Sequence, residues 1–170
     1  LRPEQAEIVT VKDIEAILKQ LKNIYSYIVI DTSPIFNDLT LCALDLADDI
    51  LLVFSPDLPS LKHARTDLEV LERLNKSDKV KVVLNKSTME NAIPLAEIKK
   101  NLGITSLAIL PQADKMVVAS VNRGQPFMLT DLRSPLSQKV KELSQDIIPD
   151  EASSQIKREQ KRFFFLGRTH

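Results

Sequence analysis

Tyr27-Ile28-Val29-Ile30-Asp31-Thr32-Ser33-Pro34 is the stretch on which the reading of the fold turns. It is apolar without alternation and stops on an acidic residue, the pattern of a strand buried on both faces of a parallel sheet. In open parallel α/β sheets, ligands gather beyond the carboxyl ends of the strands. A lone carboxylate there is where a nucleotide-binding protein orders Mg²⁺ beside a phosphate. A strand-end Asp also serves as a plain turn cap through an Asx-type bond, so Asp31 alone does not separate the two roles. The usual companion of such a carboxylate is absent from these residues. The three glycines, Gly103, Gly124 and Gly167, lie in no G-x-x-x-x-G-K-[ST] loop.

Outward from that stretch, strand and helix patterns alternate. Thr10 followed by Asp13 suits a helix start, and Ile14, Ile17, Leu18 and Leu21 then share one helical face. Leu39 to Ala47 reads as a short apolar helix and Ile50 to Phe54 as a second buried strand. Asp57 or Ser60 opens a longer helix carrying Leu61, Ala64, Leu68, Leu71 and Leu74. Val80 to Leu84 is a third strand that stops at Asn85. Pro94 suits the first turn of a helix reaching Leu102, with Gly103 just past its end. Ile104 to Leu110 reads as a fourth strand closed by Pro111, followed by helices over 114–122 and 134–147. Strands that are apolar throughout, alternating with helices, predict an α/β fold: a three-layer, mostly parallel sheet flanked by helices. The strand ends Asp31, Ser55, Asn85 and Pro111 are expected along one rim.

Composition narrows the function classes. Lys+Arg and Asp+Glu stand at 23 each, so no global basic field argues for nucleic acid. The sole cysteine, Cys42, excludes an internal disulfide and a Cys-based zinc site, and its neighbours Leu41, Ala43 and Leu44 suggest a small buried residue. A reducing, cytoplasmic setting is the natural expectation. No apolar run approaches the roughly 20 residues of a membrane-spanning helix. The chain begins Leu1-Arg2-Pro3 without Met, as an excised segment would. His63 beside Lys62 and Arg65 reads as a solvated surface residue, and Lys62, Arg65 and Arg73 share their helix with Asp67, Glu69 and Glu72, so a mixed solvated face is favoured over a DNA stripe.

Several runs together resemble a known family. Tyr25 to Pro34, then Ala47-Asp48-Asp49-Ile50-Leu51-Leu52-Val53, look like the second half of the ParA/MinD-type P-loop ATPases. Val83-Leu84-Asn85-Lys86, Leu110-Pro111-Gln112-Ala113-Asp114 and Ala119-Ser120-Val121-Asn122-Arg123-Gly124-Gln125-Pro126 most resemble the pilus-assembly branch called CpaE or TadZ. The resemblance runs from residue 1 to about 147, with residues 1–148 as the carboxyl part of the ATPase domain and 149–170 as a linker and tail. It implies an ATP- and Mg²⁺-dependent switch that dimerises around nucleotide. By position, Asp31 matches the carboxylate that holds Mg²⁺ through water, Asn85 the amide that recognises adenine, and Pro111 and Gln112 the loop along the base. Residues 32–38 match the segment that senses the γ-phosphate, where Asn37 and Asp38 are the candidates to position a catalytic water. MinD-like proteins place a Gly soon after the strand; Ser33-Pro34-Ile35-Phe36-Asn37-Asp38 has none, which puts the hydrolysis rate in doubt. The family's P-loop and its strand, which precede the Asp31 strand by a long interval, are not among these residues, so this chain alone is expected to bind ATP weakly or not at all and to be inactive.

The remaining expectations concern partners. Lys157, Arg158, Lys161, Arg162 and Arg168 interleave with Ile156 and Phe163-Phe164-Phe165-Leu166. This resembles the membrane-targeting tail of MinD-type proteins, although three successive Phe cannot share one helix face; a plain basic tail and a partner-docking helix are its rivals. Expected partners are a second copy of the chain and either an anionic membrane surface, which would place it peripherally at the inner face, or pilus and secretion-complex proteins. The rival functions are a pseudo-ATPase scaffold and the related bacterial tyrosine kinases. The kinases rank low, because the only tyrosines are Tyr25 and Tyr27 rather than a Tyr-rich tail.

Overall fold

The computed structural model describes residues 9–148. The chain divides into two compact units, Leu1–Ile50 and Leu51–His170. The expected linker and basic-aromatic tail over 149–170 lie outside the described residues.

The first unit holds two helices, α1 (Val11–Lys22) and α2 (Asp38–Leu46). Thr10 and Asp13 form the expected capping box: each side chain accepts the other's backbone N–H, satisfying donors that a helix start leaves open. The helices pack on each other through Leu18, Cys42 and Ala43, all buried. The Cys42 thiol points to the Val11 carbonyl at 4.0 Å, and burial pushes its pKa up, helped by Glu15 and Asp45. The reading of Cys42 as a buried small residue holds.

Between these helices the structure departs from the sequence reading. Residues 26–31 are not a strand, and the described sheet has three strands, none of them from this stretch. Val29 is 95% exposed and Tyr27 and Ile30 are also open to solvent. The cause is physical: β-branched and aromatic residues favour a pleated surface only when a partner strand and a covering layer complete it. Among the described residues no strand pairs with 26–31, so Asp31 terminates no strand.

The second unit carries the sheet, apart from Ile50, the first residue of its first strand. Its strands are β1 (Ile50–Phe54), β2 (Val80–Leu84) and β3 (Ala108–Ile109), in the order β1-β2-β3. β2 and β3 run parallel, with Val83 opposite Ala108 and Leu84 opposite Ile109. The Asn85 N–H donates to the Phe54 carbonyl at 2.8 Å and the Leu110 N–H to the Leu84 carbonyl at 2.8 Å, so all three strands finish side by side. β1 and β2 match the expected ranges, whereas the fourth expected strand contracts from 104–110 to two residues.

Helices flank this parallel sheet, as the α/β reading anticipates. α3 (Leu58–Arg73) and α4 (Leu95–Leu102) lay Leu61, Ala64 and Ile98 against Phe54, Val82 and Leu84. Asp57 caps α3 by accepting the Ser60 N–H at 2.9 Å. Gly103 ends α4 at φ +67°, a backbone that favours glycine. On the opposite face Val83 is fully buried, but Leu51 and Val53 stand 41% and 54% exposed. The expected burial of both faces therefore holds for β2 and fails for β1. α5 (Asp114–Arg123), the one-turn α6 (Phe127–Thr130) and α7 (Pro135–Ile147) complete the unit.

Candidate nucleotide-base site

The parallel register puts the loops after β1, β2 and β3 at one rim of the second unit. Ser55, Asn85 and Pro111 share it, as expected for three of the four strand ends. The loops after β1 and β2 start where an apolar strand runs out: Phe54 and Leu84 are buried, and the chain turns polar at the next residue.

Three backbone-level ties join the loops. Ile93 N–H donates to the Pro56 carbonyl at 2.9 Å, linking the loop after β2 to that after β1. Ser87 N–H donates to the Leu110 carbonyl at 2.9 Å. Gln112 N–H donates to Thr88 Oγ1 at 3.1 Å.

Asn85 sits half-buried in this frame. Its Oδ1 accepts the Lys86 N–H at 2.9 Å, which orients the amide, and its Nδ2 has no hydrogen bond among the described residues. Pro111 is half-buried beside it along the rim and Gln112 is exposed. Gln112 Nε2 donates to Asp114 Oδ2 at 2.6 Å, while Asp114 Oδ1 lies 3.4 Å from Lys86 Nζ. The Gln112 hydrogen bond, with Lys86 behind it, holds the Asp114 carboxyl below the ordinary aspartate range. Lys86 itself adopts φ +53°, a left-handed backbone uncommon outside glycine and asparagine.

Chemically, the rim offers an oriented amide, a proline surface and a second amide tied to a carboxylate. It has no nucleophile–base pair. The sequence reading picked out Asn85, Pro111 and Gln112 and passed over Lys86, Thr88 and Asp114. Lys86 and Asp114 stand inside the quoted motifs without being singled out and Thr88 stands outside them; only their contacts mark them.

The other expected site residues lie in the first unit. Asp31 is exposed and makes no hydrogen bond or ion pair among the described residues. Among the described residues no group of three or more His, Cys, Asp or Glu could hold a metal directly. Asn37 is the N-cap of α2, its Oδ1 accepting the Thr40 N–H at 2.9 Å. Asp38 is the first residue of that helix and exposed, where the helix dipole favours a negative charge. Between Asp31 and Asn37 the turn is held by the Ile35 N–H on Ser33 Oγ at 3.4 Å and the Asn37 N–H on the Ile35 carbonyl at 2.9 Å.

With this geometry in view, comparison with known proteins is informative. No protein-family model matches the chain. The septum site-determining protein MinD of Thermotoga maritima is 29% identical over 129 residues, covering 72% of this chain and 47% of the relative. A ParA family ATPase from Chlorobium tepidum superposes with a TM-score of 0.75 at 21% identity, covering 82% of this chain and 57% of the other. MinD from Pyrococcus horikoshii, solved with Mg-ADP, superposes with a TM-score of 0.71 at 19% identity over 86% of this chain and 60% of the other.

The chain is similar to the MinD/ParA ATPases. It has their P-loop NTPase-like fold, and it spans about half the length of the curated relatives it matches. One structural neighbour is a complex of MinC with MinD. No helix among the described residues is long and apolar enough to cross a membrane.

Proposed function

We propose that this chain is part of an ATP-dependent, dimerising switch of the MinD/ParA kind, serving positional or division-related localisation or pilus assembly. In this reading, taken unit by unit, Asn85, Pro111 and Gln112 of the second unit would receive the adenine, and in the first unit Asp31 would be the residue for Mg²⁺ and Asn37 and Asp38 the residues for hydrolysis. ATP favours the dimer, and the dimer docks on a partner complex or on an anionic membrane surface, placing the protein peripherally at the cytoplasmic side. The observation that carries the reading is the common rim of β1, β2 and β3, which sets an oriented Asn85 amide beside Pro111 and Gln112. In the second unit the half-buried Asn85 amide, held through its Oδ1 by the Lys86 N–H, supports a base-binding role, and in the first unit the exposed Asp31 carboxylate supports a cation-binding one. When bound, ATP would supply the γ-phosphate whose presence or loss sets the state of the switch.

The test uses the full-length protein. Mg-ATP hydrolysis and ATP-dependent dimerisation, measured for the native chain and for Asp31→Ala and Asn85→Ala, should fall in both variants. Unchanged rates in both would exclude the reading. For residues 1–170 alone, micromolar Mg-ATP binding by calorimetry would contradict the expectation that most phosphate affinity comes from the P-loop. A second reading, a pseudo-ATPase scaffold acting through protein contacts, is favoured by one observation. Asn37 Oδ1 is committed to capping α2, in a segment without the family's glycine. Dimerisation and partner binding without turnover would select it.

A further inference from the structure

We propose that the carboxyl-terminal segment Phe163-Phe164-Phe165-Leu166, with the cations that precede it, docks in a groove formed by α3, α4 and the end of α7. The groove lies at the starts of β2 and β3, the opposite strand ends from the candidate base site, and so is independent of the function proposed above.

The groove has a volume of about 1290 Å³ and belongs wholly to the second unit. That exceeds the roughly 300–1,000 Å³ of small-ligand pockets and suits a length of chain. Leu68, Val80, Leu102, Ile104 and Leu107 line it, each half-buried and packed on the core beneath. Their open sides make an apolar floor. Its wall beyond α4 is fixed in place: the Ile104 N–H donates to the Lys99 carbonyl at 3.1 Å, and Lys99 Nζ donates to the Thr105 carbonyl at 2.8 Å.

The charge left over on the lining is acidic. Arg65 is tied to Glu69 at 3.3 Å, and Lys81 is likewise engaged. Among the described residues the carboxylates of Glu72, Glu97 and Asp146 make no hydrogen bond or ion pair, and Lys100 is the sole lining cation equally unengaged. An apolar floor under surplus carboxylates calls for an occupant that is both apolar and cationic.

Place and chemistry together select the tail. Leu143 and Asp146 line the groove, and α7 ends at Ile147, so the chain leaves that helix at the groove's edge. Phe163 stands 15 positions beyond Ile148. A flexible link of that length spans roughly 20 Å, and an extended one up to about 50 Å. Such a tether holds the segment near the groove at an effective concentration on the order of millimolar. Lys157, Arg158, Lys161 and Arg162 precede the aromatic run, with Glu159 as the acid among them. Three successive Phe cannot share one helix face, as a helix lying in a membrane interface requires. In an extended segment Phe163 and Phe165 point to one side, and a groove can take that pair. A seated tail withholds its cations and aromatics from every other surface.

The test follows the backbone ¹⁵N–¹H resonances of Leu68, Leu102, Ile104 and Leu107 in the 170-residue chain. Two variants are compared with it, Phe163→Ser with Phe165→Ser, and Glu97→Lys with Asp146→Lys, each checked for an unchanged far-UV circular dichroism melt. The groove resonances should be displaced in the Phe variant, with those of Asn85 and Leu110 unmoved. A synthetic peptide of residues 155–170 added to the Phe variant should return them towards their native positions. Its apparent Kd should be about tenfold weaker when Glu97 and Asp146 are also reversed. Groove resonances identical in the native chain and the Phe variant overturn the proposal. So does a peptide that moves resonances elsewhere, or that binds the charge-reversed groove undiminished. A displacement that grows with protein concentration would assign the groove to the tail of a second copy and overturn docking within one chain. If the groove ignores the Phe replacements while they abolish pelleting with phosphatidylserine vesicles, the tail is a membrane anchor and the groove is not its seat.

Discussion

Replacing Ile98 by alanine tests the packing that holds the candidate site in place. Ile98 is 0% exposed and lies in the cluster formed by Phe54, Leu61, Ala64, Val82 and Leu84. The substitution removes three carbons, which at about 0.8 kcal/mol each lose about 2.4 kcal/mol of transfer free energy. A residual cavity adds to this, because the strands beneath cannot close on the gap and α4 spans one short segment, Leu95–Leu102. A total of about 3–4 kcal/mol is expected, inside the usual range for such truncations. Ile98→Val, which removes one carbon, should cost about 1 kcal/mol. Urea unfolding followed by far-UV circular dichroism gives the difference as a shift in midpoint at constant slope. Amide exchange at Leu84, Asn85 and Leu110 reports the same loss within the second unit. A cost under about 1 kcal/mol for Ile98→Ala, or valine and alanine variants of equal stability, would refute the argument that this contact is tight and unrelaxed.

Two further expectations follow from the first unit. Asp13 is held below the ordinary aspartate range, chiefly by the Thr10 hydroxyl and then by the Thr10 N–H. Its stabilising effect on α1 is therefore present above the ordinary range and disappears as pH falls through the lowered value. Thr10→Val should move the Asp13 carboxyl titration, followed by ¹³C NMR, back towards the ordinary range; an unmoved titration would contradict the capping box. Cys42 is 6% exposed with its thiol pKa raised by burial, so a disulfide-exchange reagent should react slowly with the native chain and rapidly in denaturant. Fast reaction of the native chain would mean that α1 and α2 do not cover it.

Much of the fold and part of the site are legible in the residues alone. Asn85, Pro111 and Gln112 can be singled out because each stands where a strand pattern ends, and a parallel sheet sends all such ends to one rim. Lys86 and Asp114 carry no such mark. They lie 28 positions apart on different loops, and nothing local tells a lysine that its side chain will meet an aspartate across the strand ends.

Local chemistry decided the elements. Ile50–Phe54 and Val80–Leu84 are strands where the apolar runs place them. The helices start at Thr10 and Asp57 and stop at Gly103 and Gly124, because a cap or a left-handed turn is a property of a few adjacent residues. Pairing was decided elsewhere. Tyr27 to Asp31 has the composition of a strand and stands outside the sheet, and the expected strand over 104–110 keeps only Ala108 and Ile109. Strand structure exists in the hydrogen bonds between segments, and a sequence states a segment's preference without supplying its neighbour. The left-handed turn at Lys86 (φ +53°) likewise lies where the next residue's N–H is tied to the Leu110 carbonyl, a partner distant in sequence.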